Sequence, residues 1–140
     1  MKRLIIIILS VAASVALLYF LLLLSLTSDS RIAENPDRIA RAAHFNLPAY
    51  TVLSREDNFD RTAGAWSFVD WVLQADSLLT DKTSSSLEHL ASDEGSDWTY
   101  NPDKCMYSYE SEDDETEIHI EVNAGDGQIY LSYSWRDALF

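Results

Sequence analysis

A single cysteine, four glycines and three prolines in 140 residues exclude several designs before any pattern is read. One thiol cannot close an internal disulfide, so no disulfide framework holds this fold, and a cysteine-based metal site is not expected. Cys105 is expected to be a small buried apolar residue beside Met106 and Tyr107, with an intermolecular bridge as the other option. The glycines spell neither a phosphate-binding loop nor a dinucleotide fingerprint, and no HExxH is present. There is no internal repeat and no low-complexity stretch. Basic charge is scarce as well. Lys2 and Arg3 are two of the ten basic residues, and the remaining eight stand against all 23 acidic ones beyond Thr27. Binding to nucleic acid or to an anionic lipid surface needs a basic face, so this balance excludes both. It favours solubility and steers a basic partner.

What the sequence has in quantity is an uncharged run at its start, Leu4–Leu26. As a helix it would measure about 34 Å at roughly 1.5 Å per residue, against a bilayer core of about 30 Å. Secretory signal cores are shorter, roughly 7–15 residues, and end at small residues. The small-residue sites here, Ser14-Val15-Ala16 and Ser25-Leu26-Thr27, fit such a cut poorly. No cysteine follows to take a lipid. The expectation is therefore a single-pass anchor over 4–26 in a bacterial inner membrane. The basic pair places the N-terminus on the cytoplasmic side and the remainder outside. Secretion after signal cleavage is the alternative. A linker over 27–34 and an extracytoplasmic domain over 35–140 complete this division.

Asn35-Pro36-Asp37 reads as a helix start: a side-chain cap, a proline at the first helical position and an acid in the first turn. Ile39, Ala42 and Ala43 form its apolar stripe, and His44 sits as a charge partner at its end. AYTVLSR reads as a strand. AWSFVDWVLQAD is a second strand, with Trp66, Phe68, Asp70 and Val72 on one face and Ser67, Val69, Trp71 and Leu73 on the other. Both faces are largely apolar, which predicts a central strand or one flanked on both sides. LTDKTSSSLEHLAS is a helix capped by Thr80 or Asp81, with Leu87, Leu90 and Ala91 inward. The last third alternates with period two over KCMYSYE, ETEIHIEV and QIYLSYSW, which fixes register. The fold class is α+β: the N-terminal helix, then α-β-β-α-β-β-β with a mostly antiparallel sheet and helices on one face.

Few residues offer chemistry. Glu117, His119 and Glu121 share a strand face, but positions i and i+4 on a strand lie about 13 Å apart, too far for one ion. VNAGDGQ fails as a calcium loop, because Val122, Ala124 and Tyr133 stand where acidic ligands belong; a turn with Gly125 or Gly127 at positive φ fits better. ESEDDETE reads as a solvated hairpin loop. Ser86 and His89 have helical i, i+3 spacing, without the oxyanion hole or constrained turn a hydrolase needs. No catalytic residue, metal or cofactor is expected. The aromatics remain. Trp71, Trp98 and Trp135 are expected to fill the core, whereas Trp66 and Tyr130 are candidates for recognition. The expected partner or ligand surface is Trp66, Phe68, Asp70, His119 and Tyr130.

LPAYTV (Leu47, Pro48, Tyr50, Val52), the apolar strand, the Leu87/Leu90 pair, Trp98, YSY (Tyr107 to Tyr109) and a closing strand ending near Trp135 together form a pattern. It resembles a loose group of uncharacterised, small, membrane-anchored proteins of the Bacteroidota. The resemblance implies architecture and location and carries no activity. The expected function is a non-enzymatic, membrane-anchored extracytoplasmic binding module of unknown specificity whose partner is an unknown envelope protein, with an inhibitor or immunity-type protein for a basic partner as its sharper variant. The alternative is a small-molecule-binding or enzymatic domain that uses the open sheet face.

Overall fold

The computed structural model describes residues 2–26, 28–60, 62, 64–77 and 81–136. The chain divides into two compact units, Met1–Arg31 and Ile32–Phe140. The first holds helix α1, Lys2–Leu26. Its described side chains run from residue 7 to residue 22, and all of them are exposed. Among the described residues no helix is long and apolar enough to cross a membrane. This stands against the expected single-pass inner-membrane anchor and the orientation drawn from Lys2 and Arg3. One polar group on α1 is satisfied internally: the Ser14 hydroxyl donates to the Ser10 carbonyl at 2.9 Å.

Where a polar linker over 27–34 was expected, a short helix forms, α2 (Ser28–Ala33), with Asp29 in its first turn and Arg31 in its last. These charges suit the helix dipole. Thr27 lies outside the described residues. Ala33 is fully buried and Ile32 packs beside it in the core of the second unit, so burial rather than propensity makes the segment helical.

Helix α3 (Pro36–Ala42) starts as its sequence dictates: extended Asn35 accepts a hydrogen bond from the Asp37 amide on its side chain, and Pro36 opens the first turn. It ends in a Schellman motif. The His44 amide donates to the Arg41 carbonyl at 3.0 Å and the Phe45 amide to the Ala40 carbonyl at 2.9 Å, with His44 at φ 59° where glycine is usual. The buried stripe is Ile39, Ala40 and Ala43. Ala42, expected inward, is exposed: at about 3.6 residues per turn it rotates off the face that Ile39 and Ala43 share.

Six strands follow, with one helix among them: β1 (Tyr50–Asn58), β2 (Trp66–Ala75), α4 (Asp81–Ser92), β3 (Trp98–Asn101), β4 (Met106–Glu112), β5 (Thr116–Asn123) and β6 (Gln128–Arg136). They form one sheet in the order β1-β2-β6-β5-β4-β3, antiparallel throughout. The domain is thus α+β, as expected. The cap expected at Thr80 or Asp81 lies outside the described side chains. The inner face is the core: Val69, Trp71 and Leu73 from β2, Ile120 and Val122 from β5, and Ile129, Leu131, Tyr133 and Trp135 from β6, covered by Ile39, Ala40, Ala43, Phe45 and Leu87. Two indoles tie helix ends to the sheet. Trp71 Nε1 donates to the Ala33 carbonyl at 3.1 Å and Trp98 Nε1 to the Ala43 carbonyl at 2.8 Å, both buried. Each satisfies a carbonyl that a helix end leaves without a partner.

β3 was not expected from sequence; only its first residue, Trp98, is buried. Cys105 is corrected outright. It is exposed and takes φ 50° in the turn joining β3 to β4, where Asn101 Oδ1 accepts from the amides of Asp103 and Lys104. The turn geometry, not apolarity, decides its position. The β5–β6 turn follows expectation: Gly127 holds φ 75°, and Asn123 Oδ1 accepts from the Gly125 amide at 2.8 Å. β1 is an edge strand, exposed along nearly its whole length, with a register shift between Val52 and Ser54.

Candidate functional site

On the sheet's second face, across β2, β6 and β5, the described positions that alternate with the core residues are only partly covered or exposed. Register assembles this outer face from segments distant in the chain. One row crosses five strands as Glu56, Asp70, Ser132, His119 and Glu110; the next runs Asn58, Phe68, Ser134, Glu117 and Glu112. A third contains Val72, Tyr130, Glu121 and Ser108. Arg136 lies opposite Trp66 at the end of the face, with its guanidinium 4.9 Å from the indole centroid.

Trp66, Phe68, Asp70, Glu117, Ser132 and Ser134 line a cleft of about 400 Å³. Trp66 is 38% exposed. Asp70 Oδ1 is buried and accepts no hydrogen bond among the described residues. The Tyr130 hydroxyl hydrogen-bonds to Asp70 and Ser132, and its acidity is weakened: burial, first of all, raises its pKa, the carboxylates of Asp70 and Glu121 add to this, and the Ser132 bond opposes it. Tyr130 therefore stays a neutral donor beside the cleft at ordinary pH. His119 stands between two acids, with Nδ1 3.3 Å from Glu110 and Nε2 3.4 Å from Glu121, and meets the Tyr130 ring edge-on at 5.9 Å. Glu110, Glu112, Glu117 and His119 border a second hollow of about 260 Å³, which shares Glu117 with the first.

Of the residues singled out in sequence, Trp66, Phe68 and Asp70 meet in the cleft, while Tyr130 and His119 adjoin it on the same face. Ser132 and Ser134 were missed, and Glu117 was weighed only as a metal ligand with His119 and Glu121, not as part of this cleft. Their period-two positions were visible, but not the pairing of β2 with β6. Glu117, His119 and Glu121 do share a face, and His119 lies between Glu121 on its own strand and Glu110 on the neighbouring one. Among the described residues no group of three or more acidic, histidine or cysteine side chains is placed to hold a metal ion. The helix pair Ser86 and His89 is exposed on α4, away from this face. Compared with models of protein families, with characterised proteins and with solved structures, the chain matches none.

Proposed function

We propose that the domain is a non-enzymatic binding module whose outer sheet face docks a basic protein. The observation that carries this reading is a pair of electrostatic penalties. Glu56 stands directly opposite Asp70, and Glu117 directly opposite Glu112. Like charges directly opposed across strands destabilise a sheet by roughly 0.2–1 kcal/mol a pair. Rules of local stability are most often broken where a site needs the residues for something else. Among the described residues the face bears six carboxylates, from Glu56, Asp70, Glu110, Glu112, Glu117 and Glu121, with His119 and Arg136 as its basic side chains. Partly exposed Trp66, Phe68 and Tyr130 lie among them, the residue types that anchor interfaces. Such a potential speeds encounter with a positively charged surface.

The test is titration of the full-length chain with hexa-lysine, hexa-arginine and hexa-glutamate peptides at low and high salt. The basic peptides should bind, more weakly as salt rises, and hexa-glutamate should not. Glu56→Gln and Glu112→Gln should each stabilise the fold slightly and weaken the basic peptides, whereas Glu94→Gln, in the loop after α4, should leave binding unchanged. Equal losses in all three variants, or no binding of basic peptides, would refute the assignment.

A further inference from the structure

We infer that the cleft between β2, β6 and β5 seats a single arginine side chain of the basic partner; this rests on the function proposed above and specifies its central contact. The cleft holds about 400 Å³, near the lower end of ligand pockets, which suits one side chain better than a larger molecule. Its lining supplies what a guanidinium seeks. Asp70 lines the cleft and carries a buried oxygen without a hydrogen-bond donor among the described residues, and a buried acceptor left so is costly until one arrives. Glu117 adds a second carboxylate, and Ser132 and Ser134 add hydroxyl acceptors. Trp66 and Phe68 form the aromatic wall. The chain already shows this wall's preference, since its own Arg136 lies over the Trp66 ring.

Arginine is favoured over lysine on geometry. A guanidinium is planar, stacks on an aromatic ring and still directs several N–H groups sideways to carboxylates. An ammonium has three diverging donors and a tighter hydration shell, and cannot stack and bridge together. The face outside the cleft attracts either cation by charge alone.

The experiment compares hexa-arginine with hexa-lysine on the full-length chain, with non-ionic detergent covering the exposed apolar side chains of α1. Hexa-arginine should bind about tenfold more tightly, the value of one charge-assisted, two-point contact at a partly open site. Asp70→Asn should remove most of that advantage, lowering hexa-arginine binding about tenfold and hexa-lysine binding about twofold. Should Asp70→Asn not fold, Glu117→Gln and Glu112→Gln form a matched pair. Both relieve the same repulsion, but only Glu117 lines the cleft, so only Glu117→Gln should cut the arginine preference. Trp66→Leu should abolish it as well. Equal affinity for the two peptides, or variants that lower both alike, would overturn the arginine seat and leave the basic-partner face standing. Binding of neither peptide would overturn both.

Discussion

Replacing Trp98 with phenylalanine separates one hydrogen bond from a large burial. Trp98 is 3% exposed and packs edge-on against Phe45, centroids 5.5 Å apart, and tilted against Tyr109 at 5.4 Å. A phenyl ring keeps an aromatic surface in both contacts. It loses the Nε1–H that reaches the Ala43 carbonyl at 2.8 Å. Ala43 is fully buried at the C-cap of α3, so water does not replace the donor. Depriving such an acceptor costs about 1–3 kcal/mol, and the void left by the smaller ring adds about 1 kcal/mol. The expected loss is about 2–4 kcal/mol, from a total that for domains of this kind is roughly 5–15 kcal/mol. Urea unfolding of the full-length chain, followed by circular dichroism, reads it as a midpoint lower by about 1–2 M with an unchanged slope of roughly 2 kcal/mol/M. Thermal melting should drop by about 8–16 °C, at roughly 4 °C per kcal/mol near this size. A Trp98→Phe protein within about 0.5 kcal/mol of wild type, the range of a neutral surface change, would refute the argument that the indole holds the end of α3 to the sheet.

Other substitutions test the turns. His44→Gly should stabilise the fold by about 0.5–1 kcal/mol, because His44 holds φ 59° at the Schellman position where only glycine escapes Cβ strain; a lower urea midpoint would contradict this. Gly127→Ala should destabilise by about 1–2 kcal/mol, since φ is 75° and the new Cβ would sit 3.3 Å from both the Ala75 Cβ and the Gln74 amide nitrogen; an unchanged melt would show that the β5–β6 turn adjusts freely. Asp113 accepts from the Glu115 and Thr116 amides and the Thr116 hydroxyl, and these bonds, the Glu115 amide first, hold its pKa below the ordinary carboxylate value. A group lowered on folding contributes its stability above the unfolded pKa and loses it as pH falls through the folded one. Asp113→Asn should therefore flatten the decline in urea midpoint below about pH 4; a decline as steep as wild type would remove Asp113 from the acid response.

Period-two patterning made β2, β4, β5 and β6 legible, because each has one face in the core and its residues alternate accordingly. The start of α3 was legible because Asn35 and Pro36 act locally. Non-local causes account for the rest. β3 is four residues long and buries one of them, too little for a pattern. α2 becomes helical because Ala33 and Ile32 find a core made elsewhere in the chain. Cys105 was misplaced because residue type suggested burial while a turn demanded a left-handed conformation. The site followed the same division. Trp66, Phe68 and Asp70 could be grouped from one strand's alternation, but Glu117, Ser132 and Ser134 join them only because β6 inserts between β2 and β5.

β1 ends the sheet with nine residues and exposed Val52 and Leu53, features that elsewhere invite copies of a chain to stack edge to edge into fibres. The extra residue between Val52 and Ser54 breaks the spacing of its pairing groups, so a straight incoming strand matches one half of the edge and misses the other. Past the break, Arg55 and Asp57 hold each other at 3.0 Å, so this half of the edge strand is charged. The irregularity in β1 therefore works against regular edge-to-edge pairing at this border of the sheet.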